Sequence, residues 1–177
     1  MDETNEQPLR KRKITVLAYG EGEDEKIFLR WLVSNYCRRD KVTVATASAG
    51  GGDPSYILNR AIRYRRGIKR DFEFILLDTD KEWTEEMKLQ AEKEGVELIG
   101  NHPCLEAFFL EILESTEPWQ GVGSGKCKEF FEKLCTGGNF NEDECVKIFP
   151  KSALNSARGK NQKLDRIIKM IEGEPSN

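Results

Sequence analysis

The segment ITVLAYGE, residues 14–21, is an apolar, β-branched run that ends in a carboxylate, and FEFILLDTD, residues 72–80, repeats the pattern further along the chain. Each run is short and rich in β-branched and aromatic residues, which reads as a buried strand rather than a helix. Glu21 follows the first strand, and Asp78 and Asp80 close the second. In open α/β sheets, ligands bind in the crevice outside the carboxyl ends of the strands, so these carboxylates mark a candidate reaction centre.

Helix and strand signals alternate between and after the two runs. Ile27, Phe28, Trp31, Leu32 and Tyr36 fall at helical spacing behind an acidic first turn and predict a helix over 24–37. VTVATAS, residues 42–48, is a second strand ending in Gly50-Gly51-Gly52. Asp53 then reads as an N-cap with Pro54 at the first helical position, and Gly67 ends that helix. Thr84 caps a polar helix that Gly95 terminates, residues 96–99 form a fourth strand, and Pro103 opens a helix with a wide apolar face. The expected fold class is therefore α/β: a mainly parallel four-stranded sheet with helices on both faces. Beyond Glu114 the pattern changes to a GVGSG loop and helical segments near 125–135, 141–147 and 151–172, which read as a helical C-terminal extension, with residues 173–177 frayed. The domain reading is a charged arm over 1–13, a catalytic domain over 14–115, and the extension over 116–177 packed on the same domain.

Length and composition narrow the function classes. A chain of 177 residues with 38% hydrophobic residues can bury one substantial core. No apolar run approaches the ~18 residues of a membrane span, and residues 1–13 lack a signal-peptide apolar core, so no membrane partner and a cytoplasmic location are expected. Five cysteines without a C-x-x-C pair, and a single histidine, argue against a disulfide framework and against zinc. The net charge of -3 argues against a general polyanion binder, yet basic residues cluster locally. Within RYRRGIKR, residues 63–70, Arg63, Arg65, Arg66, Lys69 and Arg70 are candidate contacts to a nucleic-acid backbone; the plain alternative is a solvated face.

Glu21, Asp78 and Asp80 suit a magnesium ion, or manganese in its place, because such a cation takes one or two carboxylates plus water and phosphate oxygens. In D-x-D on extended chain, both side chains point the same way. The alternative is that these acids simply follow strands and favour helix N-termini through the helix dipole.

Three blocks carry a resemblance: VLAYGEGEDEKIFLRWL, FILLDTDKEW and IGNHPCLEAFFLEIL. In this order they resemble RloB-like proteins, a branch of the Toprim superfamily associated with bacterial restriction and phage-defence loci. The resemblance spans residues 14–115 and implies a Rossmann-like Toprim domain. It implies that Glu21 is metal ligand or general acid/base, that Asp78 and Asp80 bind metal, and that Glu25 and Glu106 support the site. Asn101, Pro103, Cys104 and Glu106 match the family's N-P-C-x-E block, with His102 inserted after Asn101 and Leu105 where an aromatic is common. The implied activity is a Mg²⁺-dependent nuclease acting on RNA, including tRNA, or on DNA in anti-phage defence, with an ATPase partner encoded nearby. Nucleotidyl transfer by the same carboxylates, and a catalytically silent regulatory module, are the competing readings; a homo-oligomer is left open.

His102 is a candidate proton shuttle or a loop histidine bonded locally, and Cys104 a candidate thiolate or an inert packed cysteine. GVGSGKC, residues 121–127, lacks the first glycine and the closing Ser/Thr of a phosphate-binding P-loop. The glycines 50–52 read as a tight turn or a phosphate cradle.

Overall fold

A computed structural model of the chain describes residues 12–114 and 121–174. Most of the expected N-terminal arm and residues 115–120 and 175–177 lie outside the described residues. The four expected strands form as β1 (Ile14–Gly20), β2 (Val42–Ser48), β3 (Phe72–Asp78) and β4 (Glu97–Asn101). All their pairings are parallel, in the order β2-β1-β3-β4. Helices α1 (Glu23–Tyr36), α2 (Pro54–Tyr64) and α3 (Glu85–Glu94) make the crossovers. With right-handed crossovers, the reversal of direction at β1 sends α1 to one face and α2 and α3 to the other. β1 and β3 therefore flank a topological switch point, where their carboxyl ends open a crevice.

Strand alternation feeds two separate cores. Val16, Ala18, Phe74 and Leu76 point to one face with Phe28, Leu29 and Leu32 of α1. Leu17, Tyr19, Ile75 and Leu77 point to the other with Ile57 and Leu58 of α2 and Met87 of α3. The apolar face of α4 (Leu105–Ile112) lies in the α1-side core, with Ala107, Phe108, Phe109 and Leu110 all buried.

The C-terminal region continues as α5 (Ser124–Glu132), α6 (Glu142–Ile148), α7 (Lys151–Arg158) and α8 (Gln162–Glu172). Its apolar side chains share the cluster of the sheet's α1 face, from Phe131 and Phe149 to Ile167 and Ile171. The centre is aromatic: Phe109 stands 4.9 Å from Phe28 and from Phe149, and 5.0 Å from Phe131, between ring centroids. Trp31 Nε1 donates to the Phe149 carbonyl at 2.7 Å, which ties α1 to the end of α6.

Two local readings change. The expected single helix over 151–172 is broken between α7 and α8, because Asn161 caps a new helix by accepting from the Leu164 N–H at 3.0 Å. Pro103 stands before the N-cap, Cys104, rather than at the first helical position of α4, and the His102–Pro103 peptide is cis.

Candidate functional site

Backbone hydrogen bonding sets the first carboxylate over the switch point. The Glu21 N–H donates to the Leu76 carbonyl at 3.1 Å, extending the β1–β3 ladder one residue past the strand. Glu21 Oε2 in turn accepts from the Asp78 N–H at 3.1 Å. Glu25, one turn into α1, bends back so that Oε2 accepts from the Gly22 N–H at 2.8 Å, the carboxylate half of a capping box. This return needs glycine at position 20, where a Cβ would stand 2.6 Å from Glu25 Cβ. Asp78 pairs in register with Asn101 at the end of β4, and Glu106 enters from the first turn of α4.

The floor is completed by the connection after β2. The Ala49 N–H donates to the Gly20 carbonyl and the Gly51 N–H to the Glu21 carbonyl, at 3.1 and 2.9 Å. Gly50 and Gly51 have φ of 78° and 89°, a left-handed backbone that glycine adopts at little cost. The result is a cleft of about 370 Å³ lined by Glu21, Glu25, Asp78, Glu106 and Lys128, with Leu105 as its apolar wall.

The cleft is electrostatically unbalanced. Asp78 Oδ1, both side-chain polar atoms of Asn101 and Glu106 Oε2 are buried and have no hydrogen-bond partner. Unpaired buried polar atoms are rare in native interiors and cost about 1–3 kcal/mol each. Burial pushes the Asp78 carboxyl up to about 7, and the negative charges of Glu21, Glu106 and Asp80 add to it. Glu25 rises to about 8, first through burial and then through Asp78. Asp24 is raised by burial and by Glu106. Partial burial of Lys128 works against its charge, but Glu106, Asp78 and Asp80 together hold its pKa above the ordinary value.

These shifts predict how the metal-free protein responds to pH. A carboxyl whose folded pKa exceeds its unfolded one binds more protons when folded, so its favourable contribution is present below the unfolded value and lost as pH rises through the folded one. For Asp78 and Glu25 that window runs from about 4 to about 8. The carboxylates with lowered pKa, such as Glu144 at about 2, titrate below it. Thermal melts in EDTA are therefore expected to show a higher Tm at pH 5 than at pH 8, by several °C. A Tm that rises from pH 5 to pH 8 would contradict this electrostatic picture.

No family model, curated protein or solved structure matches this chain.

Of the residues singled out from the sequence, Glu21, Glu25, Asp78 and Glu106 come together in the cleft. Asp80 does not line it and is exposed. The strand ends at Asp78, and the Thr79 N–H turns away to the Asn101 carbonyl at 2.9 Å, so the same-side rule for D-x-D does not reach Asp80. Among the described residues, no group of three or more His, Cys, Asp or Glu side chains is already gathered as a metal-ligand cluster. His102 is exposed, its Nδ1 2.9 Å from Thr79 Oγ1, and does not line the cleft. Cys104 is fully buried, and burial pushes its thiol up to about 12, which makes it an inert packed cysteine.

The basic set divides. Arg63, Arg66 and Arg70 line a separate cavity beside α2, and Lys69 is exposed outside it. Arg65 is a correction: its side chain is 5% exposed and paired with Glu73 and Glu94, so it is a structural cation rather than a backbone contact. Two further residues belong to the site: Asn101 is fully buried in register with Asp78 without lining the cleft, and Lys128 lines it. Asn101 becomes evident only through its register with Asp78, and Lys128 lies on α5, beyond the GVGSG segment, where sequence distance hides its approach to the site.

Proposed function

We propose that this chain is a metal-dependent phosphodiester-cleaving enzyme of the Toprim type acting on nucleic acid. The observation that carries the reading is the set of buried, partnerless oxygens on Asp78, Asn101 and Glu106 at the switch point of a parallel sheet. Such a set fits a hard divalent cation, which needs only one or two carboxylates and completes its shell with water and phosphate oxygens. Glu21, Asp78 and Glu106 would hold magnesium or manganese, and the exposed Asp80 adds negative charge from outside the cleft. When bound, the ion supplies stabilisation of charge on the phosphodiester and a lowered pKa for water.

The chain's own groups do the rest. Glu25 is buried and protonated at neutral pH, so it holds a proton beside Asp78 that can be passed to a leaving oxygen. Lys128 brings a cation to the rim, where a phosphate would neutralise it. Asn101, in register with Asp78 across the β3–β4 pairing, sets its unpartnered amide beside that carboxylate. The resemblance to RloB-like proteins supports nucleic acid as the substrate, anti-phage defence as the setting and an ATPase as the partner. The competing silent-module reading draws on the lack of a gathered three-carboxylate cluster among the described residues.

The test is incubation of the purified chain with end-labelled tRNA, single-stranded DNA and duplex DNA in Mg²⁺, Mn²⁺ and EDTA. Shortened products with either ion and none in EDTA are expected. Products longer than the input, formed only with nucleoside triphosphates, would instead indicate nucleotidyl transfer. No change in any substrate, with or without the co-purifying ATPase, would favour the silent module.

A further inference from the structure

A second cavity, of about 800 Å³, lies beside α2 and is walled by Arg60, Arg63, Arg66 and Arg70 together with Tyr56 and Tyr64. Its volume falls within the range of built ligand sites. Among the described residues, none of these four guanidiniums is in an ion pair, although the chain as a whole is acidic. Arg65 also lines the cavity, but its guanidinium is paired with Glu73 and Glu94. Arg66 sits at φ 50°, a left-handed conformation that a non-glycine residue occupies at a cost.

The aromatic groups are arranged for contact rather than for core packing. Tyr56 and Tyr64 are 49% and 47% exposed. Tyr64 is backed by the buried Tyr19, with ring centroids 5.9 Å apart. Tyr56 is held by Arg60, which donates to its hydroxyl at 3.0 Å and lies 5.7 Å from its ring centre. The ring also fills the space beside Gly52, where a Cβ would meet Tyr56 Cδ1 at 2.6 Å. Guanidiniums without carboxylate partners, interleaved with exposed, braced rings, are what single-stranded nucleic acid requires: cations for phosphates and flat faces for bases.

Position links this trough to the acidic cleft. Tyr19 lines the trough and Glu21 the cleft, with Gly20 between them; Ser48 lines the trough and Gly50 the cleft, with Ala49 between them. Two residues of extended chain span about 7 Å, so the two sites adjoin along the ends of β1 and β2. We propose that the trough binds a single-stranded segment of the nucleic-acid substrate, stacking bases on Tyr56 and Tyr64 and neutralising phosphates with Arg60, Arg63, Arg66 and Arg70, so that the strand runs on into the acidic cleft. This rests on the nuclease reading for its purpose, but the binding itself does not depend on catalysis.

The experiment is fluorescence anisotropy of labelled 12-mers, single-stranded RNA, single-stranded DNA and duplex DNA, in EDTA. Wild type is expected to bind single strands and to bind duplex more weakly. Arg63→Ala/Arg66→Ala should weaken single-strand binding at least ten-fold and flatten the plot of log K against log salt by about 1.4, since each phosphate contact contributes roughly 0.7. Tyr56→Ala should weaken it roughly five-fold or more without changing that slope. Unaltered affinity in both trough variants, or absence of single-strand binding by wild type at low salt, would overturn the proposal. Equal affinity for duplex would overturn the stacking, and equal competition by poly-glutamate would reduce the trough to a general anion site. Single-strand binding here, together with no cleavage of any substrate in Mg²⁺ or Mn²⁺, would sink the nuclease reading alone.

Discussion

Asp78→Asn is expected to lower metal-dependent cleavage on the order of a thousand-fold while raising the stability of the metal-free protein. The first effect follows because Asp78 is the one carboxylate of the cleft that combines a buried, partnerless oxygen with a place between Glu21 and Asn101. Removing its charge removes several kcal/mol of transition-state charge stabilisation at about 1.36 kcal/mol per ten-fold. The second effect comes from the same environment. Burial and three neighbouring carboxylates hold the Asp78 pKa at about 7, so above that pH the folded state bears a charge it disfavours. Asparagine of nearly the same shape does not. The gain in Tm in EDTA should be absent below about pH 4, grow with pH, and reach roughly 5–10 °C above about pH 7. Single-turnover cleavage rates and melts at pH 5 and 8 check both halves. Retained activity, or a loss of stability at pH 8, would count against the assigned role.

Arg65→Ala is expected to destabilise the fold by about 3–5 kcal/mol, because it strands buried carboxylate charge. The guanidinium bridges three elements. Nη1 donates to Glu73 Oε2 at 2.9 Å and to the Glu94 carbonyl at 3.2 Å, and Nη2 is paired with the Glu94 carboxylate. Glu73 is itself buried, and its other oxygen accepts from the Arg70 N–H at 2.8 Å. Removing Arg65 therefore unties the end of α2 from β3 and from the end of α3. Arg63→Ala, on an exposed side chain outside any ion pair among the described residues, should fall within about 0.5 kcal/mol of wild type. Urea denaturation of both variants separates the structural arginine from the binding ones. Equal stability of the two would contradict the division.

The fold and half of the site could be read from residues alone, for a physical reason. Buried parallel strands must be short apolar runs, so residues 14–20, 42–48 and 72–78 announce themselves, and a carboxylate directly after such a run has only the sheet edge to occupy. Strand order was not legible, because alternation of elements implies parallel pairing without saying which strands neighbour. Asp80 illustrates a rule applied one residue too far: period-two alternation holds on a strand, and the strand stops at Asp78. Arg65 illustrates the limit of charge counting, since RYRRGIKR does not reveal which guanidinium has Glu73 and Glu94 waiting for it. Lys128 approaches the cleft only through tertiary packing of α5 beside α4, which no local pattern encodes.

Isothermal titration of Mn²⁺ into the nucleic-acid-free protein, in two buffers of different ionisation enthalpy, tests the acidic cleft as a metal centre without relying on any substrate. Saturable binding is expected, lost or weakened at least ten-fold in Asp78→Asn, with protons released at pH 6.5 and fewer at pH 9, because Asp78 must give up a proton held at about 7. Absence of saturable binding, or equal affinity in wild type and Asp78→Asn, would contradict the metal-centre reading of the switch point.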